Sequence, residues 1–502
     1  MRFTSLIVEL IRARPRLVFW IVVLCQAAIW LVVPLLLYRG PPGDLATVLA
    51  YGREYQVGTD LGPPLAFWLA DIAFRAAGNH IFGVYLLAQL CFIATCRALF
   101  YLARNMVGGP QAVLVVLLTM TVTAFSSPGV EFGPLVLARP LWSMLLLHAW
   151  LVIGEGRRNA WFALSIEAGL LLLTTSSAMW LLWLPVAFGL ATARGRRNLT
   201  SFDPLFALLV IVVLALPYLM WVIRADAIVV PALPAAIDLA GRAQHGGLLL
   251  GGLLAMLAGV IVLTAMNWGW LVRRPEDAQV IFRPPVDPLA RRYVYFFALA
   301  PGLLGGLLAV LYGFDRVAGG AGLALMMAGL AVVVASGDLI LLRRQQVLRK
   351  VWAFAIVAPA LAAFASLLIQ PWISNREVDT ALPANEIGRF FGESFERRTG
   401  QKLQAAAGDP QLASLIGMGP ARPHVLLDAT PSRTPWITPQ SFAETGGVVV
   451  WRAADTVGTP PEDIAVRFPG LAPEVPRAFD RLVNGRQPAL RIGWAIVRPK
   501  AP

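Results

Sequence analysis

The stretch Gly43-DLATVLAYGREYQVGTDLGPPLAFW-Leu69 decides how this chain reads. It follows at once on an apolar run from Leu17 to Tyr38, which at about 20 residues is long enough to cross a bilayer. The stretch therefore belongs at one membrane face. It carries an acid, Asp44, just past the membrane exit, then the pair Arg53-Glu54, a second acid, Asp60, and the stiff pair Pro63-Pro64 ahead of an apolar helix. Charged groups held at a membrane face are costly unless something uses them. Chemistry or binding at the mouth of a helical bundle is the expectation.

Composition agrees. Of 502 residues, 58% are hydrophobic and 14% charged, against about 25% charged for a soluble chain. The formal net charge is +13, almost all of it arginine, since Lys stands only at 350, 402 and 500. A basic balance can mean nucleic acid, but the placement of these charges explains them otherwise. Cys25, Cys91 and Cys96 all lie in apolar segments, so they read as small core residues and carry no redox message. The first apolar run shows no cleavage pattern and is expected to be retained.

Hydropathy gives eleven candidate spans, near 17–37, 82–103, 111–127, 134–153, 160–174, 178–193, 204–223, 246–270, 293–313, 321–341 and 351–371. The stretch 160–193 divides at the polar turn Thr174-Thr-Ser-Ser177. With the N-terminus in the cytoplasm, the cytoplasmic segments hold 20 basic residues, among them Arg97, Arg104, Arg157, Arg158, Arg194, Arg196, Arg197, Arg291 and Arg349. The opposite loops ahead of the tail hold six: Arg39, Arg53, Arg75, Arg224, Arg242 and Arg316. The positive-inside rule sets this orientation and accounts for the charge without nucleic acid. An odd number of spans places residues 372–502 outside, which in a bacterium is the periplasm.

The fold class is thus a polytopic α-helical membrane protein, residues 1–371, with a catalytic first outer loop at about 38–81, followed by a small α/β domain at 372–502. In that tail a helical pattern runs from Asn385 to Gly400, and short β-like runs stand at His424–Asp428, Val448–Trp451 and Arg491–Val497. It contains no glycine-rich phosphate loop and no metal-ligand spacing.

Two short amphipathic helices can be built in the first loop. Leu45, Val48, Leu49, Gly52 and Tyr55 fall on one helical face, with Asp44 at the start, where a carboxylate can cap free amides. Pro63 and Pro64 open the second, with Leu65, Trp68, Leu69 and Ile72 as its apolar face. Trp68 suits the interface. Each polar residue has a plain reading beside the functional one: Asp44 as an N-cap, Asp60 as a turn residue, Arg53 and Glu54 as a solvated pair.

The sequence from Asp44 through Tyr51-Gly-Arg-Glu-Tyr-Gln-Val-Gly58 to Pro63-Pro64-Leu65 resembles the first outer loop of bacterial GT-C glycosyltransferases. The group is the family 39 type, related to protein O-mannosyltransferases and lipid A aminoarabinose transferases. The many-span layout and outer tail are similar too. Family members often carry two adjacent acids at the first position and a charged residue before the Pro-Pro pair; here Leu45 replaces the second acid and Gly62 precedes Pro63.

The resemblance implies transfer of a sugar from a polyprenyl-phosphate carrier to a glycolipid (lipid A or lipopolysaccharide core) or protein acceptor at the outer face of the bacterial inner membrane, usually with inversion. It assigns the base to Asp44, with Glu131 in the second loop, Ser126-Ser-Pro-Gly-Val-Glu-Phe-Gly133, as the second acid and Asp60 as a third. Outer-face groups for the leaving lipid phosphate are Arg53, Arg139, Arg224, Arg242 and His245. Glu54, Tyr55 and Trp68 are loop candidates for the acceptor. Arg139 lies two turns into a span, where an arginine is usually paired, cavity-facing or snorkelling. Arg224-Ala-Asp226, Val229–Pro234, Asp238, Arg242 and His245 fit a lipid-phosphate groove or an ordinary interfacial loop. His148 and Glu167, inside spans, read as bundle hydrogen-bonding groups. No cofactor is required; some relatives bind a divalent ion near the catalytic acid, and this sequence does not demand one.

Other classes stay open. A lipid or small-molecule transporter or flippase is disfavoured by the lack of paired interrupted repeats. Another polyprenol-using ligase or polymerase would place its chemistry in a late outer loop. A non-catalytic envelope assembly protein is kept in play by the missing second acid after Asp44.

Overall fold

The computed structural model describes residues 3–225, 239–267, 279–282, 284–337, 339–342, 345–374, 377–427, 435–483, 485–486 and 489–499. Asp226, Val229–Pro234, Asp238, Asp428 and the basic residues Arg2, Arg273, Arg274, Arg283, Arg343 and Arg344 lie outside them.

An N-terminal helix, α1 (Phe3–Ala13), leads into the long apolar α2 (Pro15–Leu37), which has a proline at its first position, where its missing N–H costs nothing. The first loop then forms α3 (Leu45–Arg53) and α4 (Leu65–Ala76). Next come α5 (Phe82–Val107), α6 (Gly109–Thr119), the single turn α7 (Thr123–Ser126), α8 (Pro134–Ile153) and α9 (Ala160–Leu172). α10 (Ala178–Leu181) and α11 (Trp183–Ala191) run on to α12 (Ala193–Leu199) across a bend of 109°. After α13 (Asp203–Arg224), α14 (Leu239–Met256) and α15 (Ala258–Asn267) meet at 59°. β1 (Gln279–Phe282) precedes α16 (Pro288–Tyr312), α17 (Ala321–Ala324) and α18 (Ala328–Ala335); β2 (Leu339–Leu342) then pairs antiparallel with β1 before α19 (Gln345–Ile373).

Among the described residues six helices (α2, α5, α8, α13, α16 and α19) are long and apolar enough to span, and up to eight spans result if each bent pair is one. α6, α9 and Ala321–Ala335 are shorter apolar helices. Each of the eleven windows falls on one of these, but two are cut short. The window 111–127 breaks after Thr119, and 321–341 ends at Ala335 because Leu339–Leu342 is taken into a strand pair. The window 160–193 does divide at the Thr-Ser turn, where the Leu173 carbonyl accepts the Leu65 N–H at 2.9 Å. The polar turn thus satisfies an amide at the start of α4 that has no partner within its own helix.

The tail is a five-stranded sheet with helices. α20 (Ala384–Thr399) precedes β3 (Ala405–Gly408), α21 (Pro410–Gly417), β4 (His424–Leu426), β5 (Gly447–Arg452), β6 (Pro473–Phe479) and β7 (Leu490–Val497). The strand order is β4-β3-β5-β7-β6, parallel across β4, β3 and β5 and antiparallel across β5, β7 and β6. α21 begins at Asp409, whose carboxylate caps the amides of Gln411 and Leu412. This helix lies against α3, with Thr47 and Ser414 hydroxyls 3.4 Å apart. The backbone amides of Arg39 and Gly40 both donate to the Thr380 carbonyl, at 2.9 and 3.2 Å.

Candidate active site

Asp44 stands at the head of α3, but its side chain makes no cap hydrogen bond, contrary to the capping reading. The carboxylate is exposed instead. Beside it, Gly43 holds φ +53°, and a Cβ there would stand 2.5 Å from Glu131 Cδ and closer still to Oε1. The glycine is required both for the turn and for the approach of Glu131. The Asp44 backbone amide donates to the Glu131 carboxylate. Two acids 87 residues apart in sequence are thus brought together at one mouth.

The second loop is fixed from below. Gln26 Nε2 and Trp30 Nε1 on α2 donate to the Ser126 carbonyl at 2.6 and 3.1 Å, and Gln89 Nε2 on α5 donates to the Pro128 carbonyl at 3.1 Å. Val130 and Phe132 are buried, so Glu131 between them projects outward. Burial pushes its carboxyl above the ordinary range; the Asp44 amide and Arg316 pull it down, while the Asp44 and Asp379 charges push it up.

Below Glu131 opens a cavity of 770 Å³ whose polar lining includes Tyr38, Ser127, Glu131, Arg139, Asp315 and Arg316; Asp44 stands at its rim beside Glu131, outside the lining itself. Its apolar wall comes from α14 and neighbours, through Leu249, Leu253 and Met256. Arg139 reaches in from α8. One guanidinium nitrogen donates to the Ala124 carbonyl at 3.0 Å, the group lies 5.7 Å from the Phe125 ring, and its buried Nε has no partner among the described residues. Gly322 makes the room, since a Cβ there would meet Arg139 Nε at 2.6 Å. A cation with an unpaired donor in a cavity below two acids can receive an anionic oxygen. Arg316 was not singled out in the sequence; it sits in a short outer loop with no pattern around it. It lines the cavity and makes no ion pair among the described residues.

The remaining candidates lie elsewhere. Asp60 is in the turn closed by Thr59 and Gly62 and is not in the cavity lining, in keeping with its turn reading. Trp68 Nε1 donates to the Gln56 carbonyl at 2.9 Å, holding the loop to α4. The packed face of α4 is Ala66, Phe67, Ala70, Asp71 and Phe74, with Ile72 exposed; the expected face of Leu65, Trp68, Leu69 and Ile72 points away because the tail and bundle take the other side. Glu54 pairs with His424 at 2.8 Å. Tyr55 Oη donates to Asp71 at 2.9 Å, and Arg75 meets the same carboxylate at 2.6 Å. Arg422 completes this cluster on Asp71 and also bonds Asn79 at 3.3 Å. Tyr55, Asn79 and Arg422 are the non-glycine residues at positive φ among those described, so three strained positions meet at one latch between loop and tail. Arg53 adjoins this cluster rather than the cavity, and burial with the nearby Arg422 and Arg75 lowers its pKa against the pull of Glu54. Arg224 ends α13, one turn beyond Trp221, whose ring fills the space over Gly58. His245 Nε2 lies 3.0 Å from the Phe314 carbonyl, one turn above the cavity residues Leu248 and Leu249; Arg242 is one turn further. His148 and Glu167 pair at 2.7 Å inside the bundle.

Among the described residues no three His, Cys, Asp or Glu side chains form a group able to hold a metal ion.

Three comparisons bear on this arrangement. A family profile described as dolichyl-phosphate-mannose-protein mannosyltransferase matches residues 62–221, which include Glu131 and Arg139 but begin after Asp44. ArnT from Cupriavidus metallidurans, solved bound to undecaprenyl phosphate, aligns over 97% of this chain and 99% of its own at 12% identity, with a TM-score of 0.60. The arabinofuranosyltransferase AftD from Mycobacteria aligns over 95% of this chain and 40% of its own at 14% identity, with a TM-score of 0.49. Among curated proteins none matches. The chain has the fold of ArnT and resembles the GT-C glycosyltransferases of the protein O-mannosyltransferase and lipid A aminoarabinose transferase type.

Proposed function

We propose that this protein is an integral-membrane glycosyltransferase that moves a sugar from a polyprenyl-phosphate donor to an acceptor hydroxyl at the outer membrane face. The observation that carries the reading is the pairing of Asp44 with Glu131 above a cavity holding Arg139 and Arg316. The acid pair can take a proton, the basic pair can take a phosphate, and the apolar wall can take a prenyl chain. The solved relative's bound undecaprenyl phosphate supports the same class of donor.

In this scheme the acceptor oxygen attacks the anomeric carbon and its proton passes to the Asp44 carboxylate. The bond from the anomeric carbon to the phosphate oxygen breaks, and its electrons leave on the polyprenyl phosphate. Arg139 and Arg316 stabilise the charge that gathers there. One displacement inverts the sugar. Glu131 holds the Asp44 backbone in place and sets the charge beside the base. The eleven-span topology, with N-terminus inside and the tail in the periplasm of a bacterial inner membrane, belongs to the same proposal. So do a glycolipid or protein hydroxyl as acceptor and the tail as a domain of residues 372–502.

The test is transfer from a panel of polyprenyl-phosphate sugars to membrane lipid extracts, by wild type and Asp44→Asn. Removing the base should cost about 100- to 10,000-fold in rate with the protein still folded. Full activity in a folded Asp44→Asn would move the base to Glu131. Lipid movement without transfer from any donor would replace the enzyme reading with a transporter.

A further inference from the structure

A second polar pocket opens at the far end of the helix that carries Arg139. α8 runs 20 residues, about 30 Å at 1.5 Å each, so its last turn lies across the membrane thickness from the outer cavity. There Arg157, Arg158, Arg197, Asn198, Ser201 and Asp203 line a pocket of 260 Å³. Arg158 is held by both Asp203 oxygens, at 2.8 and 3.0 Å, and Arg157 by Glu155 at 2.7 Å. The exposed guanidinium of Arg197 makes no hydrogen bond or ion pair with a described residue. Three arginines against Asp203 and Glu155 leave the pocket positive.

An apolar groove of 300 Å³ continues from it. The groove shares Val152, Trp161 and Asn198 with the polar pocket and runs on past Leu164, Trp183 and Leu208. The seam is fixed, since Asn198 Nδ2 donates to the Val152 carbonyl at 2.6 Å. The sharp bend into α12, where Thr192 caps the Gly195 amide, turns Arg197 and Asn198 to this end. Trp183, Phe202 and Leu205 around it are exposed apolar side chains, so the groove opens toward lipid.

We propose that this composite site holds one anionic membrane lipid of the leaflet opposite the outer cavity, its phosphate among the arginines and an acyl chain in the groove. The proposal needs only that the bundle spans a membrane and is independent of the transferase reading. Charge selects the ligand: an uncharged or zwitterionic headgroup leaves the excess positive charge unmatched, and a free phosphate leaves the groove empty.

Native mass spectrometry of the full-length protein in detergent tests this, with phosphatidylglycerol, phosphatidylcholine of the same chains and glycerol phosphate as probes. One phosphatidylglycerol should be retained in preference to phosphatidylcholine. Arg197→Glu should weaken that retention at least about fivefold, the worth of one surface charge near lipid phosphate. Arg291→Glu, at an exposed arginine outside the pocket, should leave it unchanged. Arg197→Gln, which only removes the charge, serves if the reversal fails to fold. Equal retention of phosphatidylcholine, equal loss in Arg291→Glu, or displacement by glycerol phosphate would each overturn the proposal.

Discussion

Gly43→Ala is the sharpest probe of the candidate site, because two separate costs meet at that one residue. The backbone at φ +53° strains any L-residue by about 1 kcal/mol. The new Cβ would also invade the Glu131 carboxylate and break its bond from the Asp44 amide. A charge-assisted bond is worth about 1.5–3 kcal/mol; water reaching the exposed Glu131 replaces part of it, so about 1.5 kcal/mol is the better figure. The total is about 2.5 kcal/mol in the wild-type background and about 1 kcal/mol in Glu131→Ala, where the clash is gone. Unfolding in mixed micelles across the four proteins should therefore give a coupling of about 1.5 kcal/mol. Transfer should fall about 100-fold, since displacing the acids by about 1 Å is enough to do this. In Glu131→Ala the added Gly43→Ala should cost transfer little more. Equal destabilisation in both backgrounds, or transfer within about twofold of wild type, refutes the packing of Gly43 against Glu131.

Arg139→Met, which removes a buried cation with an unpaired Nε, should raise the KM for a polyprenyl-phosphate sugar about 10- to 100-fold, while leaving thermal stability nearly unchanged. Because burial raises the Glu131 carboxyl, its proton stays on to higher pH than an ordinary carboxyl's. If its ionised form supports transfer, activity is full above that raised value and is lost as pH falls through it. Arg316→Gln removes a charge that holds the value down and should move this acid limb further up, measured in pH–rate profiles. Asp71→Ala strands Arg75 and Arg422 and should destabilise the protein by about 3–5 kcal/mol, read as early proteolytic release of the tail on heating.

The first loop was legible because its two helices are amphipathic over whole turns and its prolines mark a start. The nearness of Asp44 to Glu131 was not, since nothing local encodes a contact across 87 residues. Resemblance alone put both acids on the same list. Arg53, Glu54 and Tyr55 read as site residues because a charged pair beside an acid looks alike whether it meets substrate or another domain. Glu54's partner His424, and Arg422, which shares Asp71 with Tyr55, come from a tail whose sequence carries no mark of docking. In that tail the runs at 424, 448 and 491 were read from β-branched and aromatic residues. β3 was missed because Ala405–Gly408 is three alanines and a glycine, small residues that suit a strand enclosed on both faces. β6 was missed because Pro473 and Pro476 interrupt it, which only a strand at the sheet edge tolerates.

The latch on Asp71 also sets an order of events during synthesis. Its second arginine partner, Arg422, stands 351 residues further along the chain, beyond the six long apolar helices of the described residues. The first-loop helices are made early, with Arg75 already beside Asp71, yet Arg422 and His424 arrive only with the C-terminal sheet. Asp71, Glu54 and the strained Tyr55 must wait in water while the rest of the bundle inserts. A chain stopped before Arg422 would keep the six long apolar helices and still lack the cation that fastens the loop to the tail. The protein thus completes the joint between loop and tail last, and a half-made chain cannot present a finished one.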